Sequence, residues 1–172
     1  MLTPADLAPN MAYEERSSRT KAQWGFNCSC SLCHSPSWVH DASDERVALI
    51  DELELELNDL SEGRNASTST AELLISLHEQ ERLDGVIGDA YMYAAFEYAY
   101  IGDKRKVQQY AALAVEHMIV WRGSFHQYYQ AMVRLMTQPE KEKSWKYFEK
   151  VKKGEIEPFA EGGGARGGIW EG

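Results

Sequence analysis

The fold class the sequence predicts is all-α: an antiparallel helical array preceded by a small cysteine-rich segment. Three observations carry that expectation. Apolar residues recur at helical spacing through most of the chain after residue 41. Ser, Asp and Gly stand where helix starts and stops need them. All three cysteines lie between Cys28 and Cys33, ahead of the helical pattern. The chain then divides into a lead-in with a short helix over residues 1–23, the cysteine segment over 24–36, a helical domain over 41–152 and a Gly-rich tail over 153–172.

In residues 1–12, Pro4, Pro9 and Asn10 oppose regular structure. From Tyr13 to Gln23 the chain is polar and forms a short helix with a thin apolar face, which needs support from another surface. Pro36 and the Asp41–Asp44 cluster close the cysteine segment, with Ser43 or Asp44 as the cap of the next helix. That helix runs from Arg46 to Leu60. Leu53-Glu-Leu-Glu-Leu57 alternates as a strand would, yet Leu49, Ile50, Leu53, Leu57 and Leu60 form one helical stripe, leaving Leu55 outside it. Gly63 stops this helix, and Ser69-Thr-Ala-Glu72 reads as a capping box for the next, whose apolar face is Leu73, Leu74 and Leu77 and which ends near Gly85.

An Ala- and Tyr-rich helix follows from Asp84 to Ile101, broken by Gly102 with Asp103 capping Lys104–Trp121. Val107, Tyr110, Ala114 and Met118 line one side of that last helix. Residues 88–121 fit a helical-repeat frame of roughly 34 residues, of the tetratricopeptide kind. Tyr91, Ala95 and Tyr98 take its aromatic, small and aromatic positions; an ordinary antiparallel pair explains the same residues. Ser124-Phe-His-Gln127 offers another capping box, and beyond Pro139 the residues Trp145, Phe148 and Val151 can pack back. The tail after Gly154 is too rich in glycine to repay its ordering entropy, so disorder is expected there.

The 172 residues are 44% hydrophobic, enough for one core, and carry a net charge of -9. That charge argues against direct nucleic-acid binding and permits Lys-rich protein or peptide partners. No apolar run approaches the ~20 residues of a membrane span, and the N-terminus lacks the pattern of a secretion signal. The expected compartment is therefore intracellular, nucleus or cytoplasm. There, clustered thiols are metal ligands more often than disulfide partners.

The spacing C-x-C-x2-C can bring Cys28, Cys30 and Cys33 to one zinc ion, but structural zinc takes four ligands. His34 adjoins Cys33 too closely for an easy approach, whereas His40 lies far enough on to reach. Neither gives a familiar zinc spacing, so the fourth ligand is expected from elsewhere, and with it missing the segment is expected to bind zinc weakly. Unpaired thiols without metal, including a redox-responsive cluster, are the alternative.

Glu14-Glu15-Arg16 followed by Trp24-x-Phe26-x-Cys28-x-Cys30-x2-Cys33 resembles the post-SET segment of SET-domain protein lysine methyltransferases, closest to the SET-and-MYND type and related fungal proteins. Leu83-Asp-Gly-Val-Ile-Gly-Asp-Ala-Tyr-Met-Tyr-Ala-Ala resembles that group's C-terminal helical domain, and the resemblance covers about residues 10–137. It implies that Cys28, Cys30 and Cys33 bind zinc, with a fourth cysteine from an Asn-His-Ser-Cys element of the SET core. It further implies that Phe26 packs near the adenine of S-adenosylmethionine and that Trp24 lines the target-lysine channel. Without a SET core, the better reading of Trp24 and Phe26 is that they wedge the knuckle onto the helices. This sequence has no Asn-His-Ser-Cys element, no Gly-rich SET start and no catalytic Tyr in the expected context. The expectation is thus a C-terminal part of such a protein, its first residues the edge of the SET core, inactive alone. A stand-alone helical-repeat interaction module is the alternative.

Overall fold

The structure, a computed structural model, describes residues 11–61 and 63–157. These form seven α-helices: α1 (Tyr13–Trp24), α2 (Ser37–Asn58), α3 (Thr68–Gln80), α4 (Ile87–Ile101), α5 (Lys104–Trp121), α6 (Tyr129–Thr137) and α7 (Tyr147–Lys152). A 3-10 turn at Pro139–Lys141 joins the last two. No strand occurs among the described residues, so the all-helical class is as expected. The expectations for residues 1–10 and for the tail beyond 157 lie outside the described residues.

Helix α4 is the centre of the array and packs against α3, α5 and α7. Its composition is the reason. Ala90, Ala94, Ala95 and Ala99 are fully buried, and these small side chains let neighbouring helices come close. Gly88 goes further, because a Cβ there would lie 2.9 Å from the Cβ of His117 on α5. Phe96, Met92, Tyr93 and Tyr98 fill the remaining space with large rings and chains. Burying each such side chain contributes about 1.5–3 kcal/mol.

The turn between α4 and α5 forms as its residues predict. Gly102 adopts the left-handed conformation (φ 80°). Its N–H donates to Ala99 O, and that of Asp103 donates to Tyr98 O, satisfying carbonyls at the helix end. The Asp103 side chain then accepts from the Lys106 N–H and caps α5. Val107, Tyr110, Ala114 and Met118 are buried from α5, the stripe read from the sequence.

Helix α2 departs from expectation at its start. It begins at Ser37 after Pro36, with no side-chain cap, and not at Arg46, so the helical domain starts four residues before residue 41. Ser43 and Asp44 are not caps of α2. Ser43 is buried mid-helix and donates to Glu81 Oε2 at 2.6 Å, while Arg46 pairs with the other oxygen of the same carboxylate. Asp44 instead accepts from the Tyr13 N–H at 2.8 Å, tying the start of α1 to α2. Both side chains satisfy groups distant in sequence, which local capping rules do not anticipate. The centre of the stripe holds: Ile50, Leu53 and Leu57 are buried, Leu49 is half-buried and Leu55 is 73% exposed, while Leu60 falls beyond the end of the helix. The helix ends at Asn58, before Gly63.

Three further details are corrected. The cap of α3 is Ser67, in a reciprocal box with Thr70, and not the Ser69–Glu72 pair. Leu74 and Leu77 are buried as read, together with Ala71, Ile75 and His78, while Leu73 is exposed. The helix ends at Gln80, short of Gly85. Helix α6 starts at Tyr129 without a side-chain cap, so Ser124–Gln127 is a loop with Phe125 fully exposed. At the C-terminal end, Trp145, Phe148 and Val151 do pack against the core, and the Lys146 N–H donates to Ala99 O at 2.8 Å, joining α7 to the end of α4.

Candidate metal centre

Helix α1 stops at Gly25, whose left-handed φ of 73° lets its N–H close onto Lys21 O. The chain then makes two tight turns, with His34 N–H on Cys30 O and Ser35 N–H on Leu32 O, each 3.0 Å. These turns fold Cys30 and Cys33 back beside Cys28. The three Sγ atoms lie within 4.8 Å of one another, and no disulfide joins them. Tetrahedral thiolate coordination at about 2.3 Å per bond places sulfurs about 3.8 Å apart, so the cluster fits a zinc ion with little adjustment.

The thiols are electrostatically unequal. The Cys30 thiol is brought down to about 7, mainly by hydrogen bonding from the Cys33 backbone. Desolvation and the neighbouring thiols push Cys33 up to about 11. Three sulfurs drawn together resist carrying three negative charges at once, and a bound cation relieves that repulsion.

Among the described residues the group contains these three cysteines and no fourth ligand. His34 is exposed on the outside of the turn. His40, which the spacing allowed as a ligand, has another task. Its Nε2 is hydrogen-bonded to Leu32 O at 2.8 Å, and its ring stacks on Tyr13 at 3.8 Å between centroids. It braces the knuckle against α1 and α2. No local sequence signal marks that role, because Tyr13 is brought to it by the packing of α1 on α2.

Trp24 and Phe26 precede the cluster in the chain and stack loosely on each other, centroids 6.4 Å apart. They are 42% and 53% exposed, so they do not wedge the knuckle onto the helices. Trp38, at the first turn of α2, is exposed as well.

A second polar cluster escaped the sequence reading, which gave Glu72 to a capping box. Glu72 Oε1 accepts from Tyr98 Oη at 2.6 Å, from Tyr110 Oη at 3.1 Å and from Lys106 Nζ at 3.1 Å. The Tyr98 hydroxyl first, then Lys106, hold its carboxyl below the usual carboxylate range. The Tyr98 and Tyr110 rings stack at 5.6 Å, so this cluster links α3, α4 and α5. Its donors and acceptors are matched, which marks it as a structural tie.

The fold and site together define an all-helical protein carrying an open three-thiol cluster. Comparison with known proteins found no matching family model, no matching curated relative and no matching solved structure. No described helix is long and apolar enough to cross a membrane.

Proposed function

We propose that this chain is the C-terminal part of a SET-domain lysine methyltransferase-like protein. In this reading it supplies a zinc-stapled post-SET lid and a helical wall for substrate or partner, and transfers no methyl group alone. The observation that carries it is the convergence of the Cys28, Cys30 and Cys33 sulfurs, preceded in the chain by two exposed aromatics, with no fourth ligand among the described residues. A SET core would add the missing thiolate and cover Trp24 and Phe26. Cys28, Cys30 and Cys33 would hold the zinc, whose chemistry there is structural. S-adenosylmethionine would bind only once a SET core completes the pocket, with Phe26 and Trp24 on this side of it. Exposed aromatic rings can wall a lysine ammonium by cation–π attraction.

The test is the coding sequence upstream of Met1. An in-frame extension carrying Asn-His-Ser-Cys is the expected result, and the longer protein should then hold one zinc and methylate protein lysine. An upstream region without such an element, or methyl transfer by the purified 172-residue chain, overturns the proposal.

A second reading, a stand-alone module of tetratricopeptide-like helix pairs, is favoured by a different observation. Ile119, Val120 and Trp121 at the end of α5 and Phe125 in the loop beyond it are all exposed, and exposed large apolar side chains are a feature of interaction surfaces. A tight one-to-one complex with a Lys-rich peptide, formed by this chain alone and lost on Trp121→Ala, would favour it over the first.

A further inference from the structure

The outward side of α2 is a helix face that nothing among the described residues covers. Val47, Ile50, Leu53 and Leu57 are its buried side. On the opposite side Trp38, Asp41, Glu45, Ala48, Glu52 and Leu55 are all exposed. Their spacing alternates between three and four residues, as in a coiled-coil seam, so they form one line along the helix. At the α-helical rise that line is about 25 Å long. Trp38, 69% exposed, stands at one end and Leu55, 73% exposed, at the other.

The charges on this face do nothing for the free helix. Helix α2 holds seven acidic residues and one arginine, and Arg46 is already paired with Glu81. Asp41, Glu45 and Glu52 have no ion-pair partner among the described residues. Asp41 and Glu45 stand four residues apart, as do Glu52 and Glu56, and like charges at that spacing weaken a helix. The helix dipole does not offset this: the first turn holds no acid, and Glu56 lies in the last turn, at the negative end. Local features that cost a helix stability without a gain inside the fold mark a surface used for something else.

Charge selects the occupant. A second copy of this chain would set carboxylates against carboxylates, and nucleic acid or an anionic membrane would be repelled as well. Residues 1–10 and 158–172 hold one basic residue between them, Arg166, so they do not supply the counter-charge. Geometry selects its form. The side of a helix offers no unpaired main-chain groups to hold an extended strand, whereas a second helix matches a seam of alternating spacing along its whole length. We infer that the outward face of α2 docks a basic amphipathic helix of a partner protein, about five turns long. Its Lys or Arg side chains face Asp41, Glu45 and Glu52, and its apolar side chains face Trp38, Ala48 and Leu55. This surface is separate from the cysteine cluster and from the apolar end of α5, and it does not depend on a SET core.

The probe is a synthetic helical peptide of about 21 residues with Leu and Lys interspersed along one face, titrated at low salt into the 15N-labelled full chain. It should give saturable amide shifts centred on residues 38–55. The same peptide with Glu for Lys should not bind, and with Ala for Leu it should bind about tenfold more weakly. Glu45→Lys should weaken the Lys–Leu peptide about tenfold while raising the unfolding midpoint of the free chain, a pairing that a merely structural role would not give. Trp38→Ala should weaken it about tenfold. Glu116→Lys makes the same change of charge at an exposed site on α5 and should alter binding by less than about twofold. Trp121→Ala should leave it unchanged, which separates this surface from the α5 end. The inference is overturned by no saturable shift at about 1 mM peptide, or by shifts centred off α2. Equal binding of either control peptide overturns it too, as does a loss in Glu116→Lys or Trp121→Ala as large as in Glu45→Lys.

Discussion

Twelve of the fifteen residues of α4 are buried, against one of the twelve in α1. The two helices stand for two regions that are held in different ways. The body from α2 to α7 encloses the main core and ties polar groups internally, as Arg64–Glu97, Ser43–Glu81 and Glu72–Tyr98 do, while Ile119, Val120, Trp121 and Phe125 stay exposed. The α1–knuckle region covers little. It is held by Tyr13 against His40 and Asp44, and Cys30, Trp24 and Phe26 are left exposed. The first region has the contacts to fold alone. The second rests on a few contacts to α2.

That contrast can be broken most severely in the body. Phe96→Ala, at a side chain 1% exposed, should cost about 3–5 kcal/mol by lost burial and cavity formation. Chemical denaturation followed by helical circular dichroism checks it. A loss under 1 kcal/mol would mean that α4 is not the centre of the core.

Acid should loosen the body next. His78 is buried, its imidazole is held below the ordinary value of 6.5 chiefly by desolvation, and its Nδ1 is bonded to Leu74 O. Its folded pKa is lower than its unfolded one, so below 6.5 the unfolded chain binds the extra proton and stability falls as pH falls. His126 is shifted in the same direction, mainly by burial and then by Arg122. Unfolding midpoints measured between pH 7.5 and 5.5 should drop, and His78→Gln should flatten most of that slope. An unchanged slope would assign the effect to His126.

A smaller loss, about 1 kcal/mol, is expected for Asp103→Ala, which removes the cap of α5. The smallest effect belongs to the other region. Trp24→Ala and Phe26→Ala should change the stability of this chain by less than about 0.5 kcal/mol, because both rings are exposed. A cost above 1 kcal/mol in either would show that they pack on the helices after all.

The same contrast explains which parts of the structure were legible in the sequence. Helix α5, the Gly102–Asp103 turn and the buried stripe of α5 follow from local spacing and capping and form as read, and α4 forms too but starts at Ile87 and not at Asp84. The α2 stripe was equally legible, because an exposed Leu55 among buried leucines is a matter of helical phase. Caps fared worse. Ser43, Asp44 and Glu72 have the residue types that cap helices, yet each is used by a partner more than 20 positions away in the chain. Sequence periodicity cannot distinguish a carboxylate that meets the nearest backbone N–H from one that meets a distant tyrosine. At the site, convergence of the three thiols was legible from spacing, and the shortage of ligands from counting. The use of His40 as a brace was not, since it depends on where α1 lands on α2.

The central claim, a self-sufficient body bearing three-quarters of a metal site, is tested most directly by zinc content. The 172-residue chain, purified in reductant with added zinc, is dialysed at length against a chelator, and its zinc and helical signal are measured together. The account predicts far less than one zinc per chain, with the helical signal and unfolding midpoint unchanged by its loss. One zinc per chain surviving the dialysis, or collapse of the helices when it is removed, would contradict it.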